Sequence, residues 1–405
     1  MHHEKPENQT RRRTPARLPP PWVLGMAGLV AALAASCSPD AIEPPVGGVP
    51  TIRVLLSDKL AKARITIRGP YRILLIGETE KPGELASGRD LRDRVVSAAG
   101  RDVIVDDLAR TPCSVAFVPD GVPVELDGRR YRGLLRISVS PRTGKLQVIN
   151  AVDLEGYTRG VVPVEAVPSW PAAALEAQAV AARTYGLFQI LRRGDAPFHV
   201  RAGVTDQKYG GYEEETGRTD AAVEATAGRV LRYDGQPFCA FYHACCGGHT
   251  GDARYELDAE ESPLRGVPCE SCRKAAPKKL LAWTLRISCN ELARRLKIPG
   301  LRGLRLGDEG PDGRIRSVTL YRAAGEPRAL TGPRFRDRVG PGLGQLCSTR
   351  FRVKADGDHF VFYGSGWGHG VGMCQWGAKG MADEGGTARD ILEKYYPGAE
   401  ITKQY

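Results

Sequence analysis

The sequence predicts an α+β fold: a β-rich N-terminal part, then a mixed helical and β core that closes on a Gly-rich loop. Three observations predict it. Short β-branched or apolar runs recur from residue 51 to 153, punctuated by Gly, Pro and Asp. A long alanine-rich run follows between Ser169 and Gly194. After it, strand-like and helix-like runs alternate up to "GSGWGHGVGMCQWGAKG", Gly364 to Gly380. With 405 residues, 48 Gly and 29 Pro, the chain is long enough for a substantial core with many turns. No internal repeat is present.

Residues 1–37 read as an export signal. Arg11, Arg12, Arg13 and Arg17 give the positive region, and "WVLGMAGLVAALAA", Trp22 to Ala35, the apolar one. About 20 apolar residues are needed to span a bilayer as a helix, so this run is a signal rather than a span. It ends in "LAASC", as in bacterial lipoprotein signals, which makes Cys37 the lipid-bearing residue and the membrane a partner through that anchor. Leu33 lies one place earlier than usual in such a box. An ordinary cleavable signal is the other reading. Residues 38–50 read as a Pro/Gly tether.

In residues 51–153, "TIRVLL", "ARITIRG", "YRILLIG", "CSVAFVP", "GLLRISVS" and "KLQVINAV" are the predicted strands. The core, residues 154–405, begins with a loop that carries Glu165. A helix follows, with Ser169 as N-cap, Trp170 and Pro171 in its first turn and Gly194 as its stop. Ala172, Leu175, Ala179, Ala182 and Gly186 share one face, on which another backbone can approach closely. Glu176 and Arg183, seven apart, read as structural partners. Asp153 and Glu155 read as solvated charges at a strand end. Beyond are a helix in "RTDAAVEATAG" ended by Gly228, a hairpin turning at "DG" in "RVLRYDGQPFCAFYHA", a Cys-rich loop at 243–272, further strands, and a closing helix and tail.

The net charge of +11 favours a polyanionic partner: nucleic acid, a membrane surface or an anionic cell-wall polymer. No dense Lys/Arg tract with interleaved aromatics follows residue 20, which argues against nucleic acid. The ten cysteines of an exported chain point to disulfides or metal.

Three constellations carry chemistry. The first is Glu165, a single carboxylate among Val161, Val162, Val164, Val167 and Trp170. A surface Glu that favours the dipole of the next helix is the bland alternative. The second is "YHACCGGHTGD…GVPCESC". A Cys-x-x-Cys pair grips one side of a tetrahedral zinc, and two ligands from the earlier loop complete it. The expected quartet of a structural zinc is His243, Cys246, Cys269 and Cys272, with Cys245 or His249 as substitutes. One or two disulfides, or a redox pair, are the rival readings. The third is the Gly-rich loop. Trp367 and Trp376 offer flat faces to pyranose rings, and His369 and Gln375 offer hydrogen bonds to sugar substituents. His369 pinning the loop is the structural alternative. Tyr209 is a further candidate to line a groove, with a packed core Tyr as its alternative.

"GYTRGVVPVEAVPSWPAAALEAQAVAARTY" closely resembles the central motif of the SpoIID/LytB family, the stage II sporulation protein D and amidase-enhancer proteins of bacterial cell walls. The resemblance continues through "TDQKYGGY", "AVEATAGRVLRYDGQPFCAFYHACCGGHTGD", "FVFYGSGWGHGVGMCQWGAKGMA" and "ILEKYYPGAEI", in matching order. Cys374 stands where the family often has Ser. The resemblance implies a peptidoglycan lytic transglycosylase of the cell envelope. It would cleave the β-1,4 bond between N-acetylmuramic acid and N-acetylglucosamine and leave a 1,6-anhydromuramyl end, with Glu165 as the acid required. It also makes zinc near the Cys-rich loop relevant. A glycan-binding protein that modulates a cell-wall amidase is the alternative the enhancer name suggests. A zinc hydrolase of wall peptides is a third and requires an open metal position.

Overall fold

The computed structural model describes residues 48–77, 82–259, 263–342 and 344–405. The signal, Cys37 and most of the tether lie outside them. No described helix is long and apolar enough to cross a membrane.

The fold is α+β, and all six predicted runs of the N-terminal part are strands. Val200–Arg201, Thr51–Leu60, Leu146–Asp153, Leu134–Val139, Ser114–Pro119, Tyr71–Ile76 and Gly83–Gly88 form a seven-stranded sheet in that order. A second, six-stranded sheet contains Lys62–Ile67 and Leu91–Ala99. Ile52, Val54, Phe117 and Ile137 of the first sheet share one core with Ile65, Val96, Val103 and Val124 of the second. The sequence reading missed the strand "LRDRVVSAA". Its Arg and Asp look like loop residues, yet Val96 is paired opposite Ala63 and is wholly buried.

Strand Leu146–Asp153 runs directly into helix α1, Leu154–Glu165. Asp153 is its N-cap, accepting from the Gly156 N–H at 2.8 Å. The loop expected before Glu165 is therefore the last turn of a helix. Pro163 and the valines suggested a break. Pro163 removes only one backbone bond in the final turn, and burial of Tyr157, Val161 and Val162 holds the helix. Helix α2, Ala172–Arg193, starts later than expected: its N-cap is Pro171, without a side-chain cap, and Ser169 precedes it. Gly194, at φ 47°, ends it as predicted. Nor is one face alone buried. From Ala174 to Leu187 every residue except Glu176 is buried, so α2 is the central helix of the core. A Cβ at Gly186 would lie 2.8 Å from Leu154, which is where α1 makes its close approach.

Arg183, wholly buried, does not pair with Glu176. It forms a two-pronged ion pair with Glu155, both bonds 2.8 Å long. Its remaining N–H groups reach the carbonyls of Val223, at the end of helix α3 (Gly217–Ala225), and Arg229. Glu155 also accepts from the Gly228 N–H at 2.9 Å and the Tyr405 hydroxyl at 2.7 Å. It is thus no solvated strand-end charge. Burial alone would raise its pKa, but Arg183, Gly228 and Tyr405 together hold it below the ordinary glutamate value.

The hairpin at Asp234 and Gly235 forms as predicted, and its first strand, Arg229–Tyr233, also pairs with Glu400–Lys403 of the tail. Residues 283–364 build a separate small core around Leu292, Val318, Phe335 and Phe362. This module stands between Cys272 and the Gly-rich loop. Its buried Arg314 donates to the Cys246 carbonyl at 3.3 Å and packs where a Cβ on Gly370 would lie.

Arg183→Met leaves Glu155 buried without its cation, and the expected loss is about 3–5 kcal/mol of folding stability. Urea titration at pH 7 measures it. Because the pKa of Glu155 is depressed by folding, the stabilisation is present above the unfolded-state value, about 4.3, and is lost as pH falls through the folded value. The gap between wild type and Arg183→Met therefore narrows in acid.

Candidate functional site

Glu165 is the C-terminal residue of α1. The last carbonyls of a helix carry partial negative charge, so this end disfavours a carboxylate. The helix-dipole alternative read from sequence had the opposite sign, because it placed Glu165 before a helix rather than at the end of one. The Lys208 N–H donates to Glu165 Oε1 at 2.7 Å. Gln375 Nε2 donates to the main-chain oxygen of Glu165 at 2.9 Å and to Gln178 Oε1 at 3.2 Å. Burial raises the Glu165 pKa above the ordinary value, against the pull of Lys208 and of the Gln375 amide. No second carboxylate figures among the groups that shift it, and it forms no salt bridge among the described residues. Trp376, half-buried, meets Trp170 edge-on with ring centroids 5.0 Å apart beside this end of α1.

The segment that presents Lys208 is fixed from below. Tyr209 is buried, its hydroxyl donating to Asn150 Oδ1 at 2.7 Å and its ring stacked on Tyr157 at 5.3 Å. Asn150, on strand Leu146–Asp153, donates in turn to the carbonyls of Arg132 and Leu134. The Gly210 N–H donates to the Gly160 carbonyl on α1, and a Cβ at Gly160 would lie 2.5 Å from the Tyr209 ring. Tyr209 thus lines no groove. It is the packed core Tyr of the alternative reading, and it sets the height of its neighbour Lys208.

His369 is spoken for as well. Its Nε2–H donates to the Tyr242 carbonyl at 3.0 Å, and its Nδ1 accepts from the Val371 N–H at 3.1 Å. Burial and nearby arginines lower its pKa to about 4, so the ring is neutral. With both nitrogens engaged it pins the Gly-rich loop and has no hydrogen bond left for a sugar. Trp367 is half-buried and pairs its main chain with Cys245. Of the five residues predicted to meet substrate, Gln375 and Trp376 are beside Glu165.

The Sγ atoms of Cys246, Cys269, Cys272 and Cys374 lie within 4.8 Å of one another, all buried. Cys374 takes the place that the sequence reading gave to His243. The imidazole points elsewhere: its Nδ1–H donates to the Val371 carbonyl at 3.0 Å, and its ring meets His369 edge-on at 5.6 Å. His249 donates to the Thr250 carbonyl at 2.7 Å and is not in the cluster. Cys245 lies against Cys272, and that bond pushes its thiol up to about 12. None of the nine cysteines among the described residues forms a disulfide.

The cluster's donors suit thiolates. Cys374 Sγ accepts from the Cys246 and Gly377 N–H groups, each at 3.3 Å, and Cys246 Sγ accepts from the Gly248 N–H at 3.4 Å. A tetrahedral zinc with bonds near 2.3 Å sets its sulfurs about 3.8 Å apart, and Cys246 and Cys272 are separated by 3.5 Å. Four sulfurs fill a tetrahedron, so this donor set fits a closed, structural metal and leaves no open position for a hydrolytic one. Cys374 is also the N-cap of helix Gln375–Asp383, so the residue after the cluster is the one that grips Glu165.

Sequence reasoning missed Lys208, Gln178 and Cys374. Lys208 acts through its backbone, and no side-chain pattern marks that. Cys374 had a signal: a thiol inside a motif, in a chain with three others awaiting a fourth.

Residues 142–233 match the SpoIID family, Stage II sporulation protein. An uncharacterised protein of Brachyspira hyodysenteriae is similar, 31% identical over 360 residues, which cover 86% of this chain and 92% of that one. The amidase enhancer of Bacillus subtilis is 28% identical over 69% of this chain, which spans 45% of that longer protein. Stage II sporulation protein D of Bacillus subtilis is 29% identical over 64% of this chain and 76% of its own. The chain belongs to the SpoIID/LytB family.

Proposed function

We propose that this chain is a peptidoglycan lytic transglycosylase that cleaves the β-1,4 bond between N-acetylmuramic acid and N-acetylglucosamine, with Glu165 as general acid and base. The observation that carries the reading is a lone, half-buried carboxyl with a raised pKa and no carboxylate partner acting on it. A glycoside hydrolase ordinarily needs two carboxylates, one for the leaving oxygen and one for nucleophile or water. Here the sugar supplies the nucleophile. The protonated Glu165 gives its proton to the O4 leaving group as the C1–O4 bond breaks. The muramyl C6 hydroxyl forms the new bond to C1, and the Glu165 carboxylate takes that hydroxyl's proton. The acid returns to its starting state and no water is consumed.

The neighbours serve this cycle. The C-terminal end of α1 and burial shift the acid toward its protonated form. The Lys208 N–H holds one carboxyl oxygen, so the other faces the bond. Gln375 locks the backbone that carries it, and Trp376 offers a flat face to a pyranose ring.

Cys246, Cys269, Cys272 and Cys374 would hold a structural zinc, whose chemistry is to cross-link the two loops rather than to react. Cys37, outside the described residues, would carry the lipid that anchors the chain to the envelope. A second reading, a glycan-binding modulator of a cell-wall amidase, is favoured by the amidase-enhancer relative. Glycan digestion separates the two.

Purified glycan strands incubated with wild type should yield 1,6-anhydromuramyl ends by mass spectrometry, with no ¹⁸O taken up from labelled water. Glu165→Gln should lower the rate by at least about 10²-fold, the usual scale of a lost general acid, and keep the fold. Full activity in that variant, or hydrolytic ends, refutes the assignment. Activity should also fall as pH rises through the raised Glu165 pKa.

The same pKa has a stability signature. A carboxyl raised by folding makes the native state less stable once pH exceeds the unfolded-state value, about 4.3. Glu165→Gln should therefore melt higher than wild type at pH 7.5 and equally at pH 3.5, as differential scanning calorimetry would show.

For the thiol cluster, zinc analysis of purified protein should give one equivalent in wild type and His243→Ala, and a clear loss in Cys374→Ala. Equal zinc in all three would reject Cys374 as a ligand.

A further inference from the structure

Away from Glu165, a cavity of about 370 Å³ opens between α2, helix Ala388–Tyr395 and the paired strands Arg229–Tyr233 and Glu400–Lys403. Its floor is apolar, made by Val180, Leu392 and Ile401. Its polar wall is basic: Arg229, Lys403 and Arg389 line it, and no carboxylate does.

Two of these cations stand where the fold by itself disfavours them. Arg229 and Lys403 are directly opposite one another in the antiparallel register. Like charges in that relation have Cβ atoms about 4.5–5.5 Å apart and destabilise the pair. Neither side chain makes a hydrogen bond or ion pair among the described residues. Arg389 is the second residue of its helix, the end where the dipole opposes positive charge. It has an exposed pair with Glu393 at 3.1 Å and the Asp390 carboxylate as its neighbour. The start of that helix is closed by a capping box, in which the Asp390 carboxylate accepts from the Thr387 N–H and hydroxyl, and Asp390 does not line the cavity.

An anion placed among these groups reverses every one of those penalties. We propose that the cavity is a binding site for an organic phosphate. Two unpaired cations call for about two negative charges, and a phosphomonoester carries about −1.5 to −2 at neutral pH. Its tetrahedral oxygens offer acceptors to Arg229 and Lys403 together, while the apolar floor takes the carbon substituent. The same chemistry is offered by a soluble phosphomonoester and by the phosphomonoester headgroup of phosphatidic acid.

Isothermal titration of the purified chain with glycerol 3-phosphate tests the site at fixed low ionic strength, with inorganic phosphate as the ligand that lacks a carbon part. Saturable 1:1 binding is expected, weakened at least about tenfold in the Arg229→Gln/Lys403→Gln double variant and retained in Lys403→Arg. Sedimentation with phosphatidic acid vesicles identifies the source. Vesicle binding lost in the double variant assigns the phosphate to the headgroup, and binding of the soluble ester alone assigns it to a free ligand. The double variant should melt no lower than wild type without ligand, since it removes a repulsion. Absence of saturable binding, equal binding by wild type and double variant, or a lower melting point in the latter overturns the proposal.

Discussion

A guanidinium with no exposed surface decides where the rest of the core can go. Arg183 sits midway along α2, and its charge has to be matched inside the protein, because an unpaired buried cation costs several kcal/mol. Glu155 supplies the match from the first turn of α1, which fixes the rotation of α1 about its own axis. The spare donors of Arg183 and the spare acceptors of Glu155 then tie in α3, Gly228 and Tyr405 at the last residue of the chain. Helices α1, α2 and α3 are thereby referred to one ion pair. Glu165 is ten residues beyond Glu155 on the same helix, so the orientation set at one end is delivered to the acid at the other.

A second constraint acts from the opposite side. The thiols of Cys246, Cys269 and Cys272 come from one loop region, whereas Cys374 arrives only after the module of residues 283–364. Arg314 of that module braces both the Cys246 carbonyl and the close approach at Gly370. The sulfur of Cys374 caps the helix whose first residue, Gln375, holds the backbone of Glu165. Thiol geometry and acid geometry are thus one chain of contacts.

What the sequence could tell followed from how each interaction is written in it. The apolar strands were legible, since Ile52, Phe117 and Ile137 advertise burial by themselves. Leu91–Ala99 was not, because its burial comes from pairing with a strand some thirty residues earlier. Gly194 and the Asp234–Gly235 turn were legible as backbone requirements. The partner of Arg183 was not: helical spacing offered Glu176, while the true partner lies on another helix. Glu165 and the Cys-x-x-Cys pair stood out as chemistry. Tyr209 and His369 stood out equally, and sequence could not show that Asn150, Tyr242 and Val371 already take up their polar atoms. A polar side chain in a motif signals a required hydrogen bond without saying whether the partner is substrate or protein.

The move of Glu165 from a loop ahead of a helix to the end of one changes the physics of the acid, not only its address. Ahead of a helix, positive potential from free N–H groups would hold the carboxyl ionised and ready to act only as a base. At the end of α1, the negative end of the helix dipole, burial and the lack of an ion pair among the described residues all act in the other direction. Against them stand the Lys208 N–H and the Gln375 amide. A carboxyl balanced this way can give a proton and take one back, which is what a single-carboxylate cycle demands. Pro163 belongs to the same balance. By lacking an N–H it leaves the Arg159 carbonyl without its ladder partner, while the Ala166 N–H still closes the last turn on the Val162 carbonyl and α1 reaches Glu165.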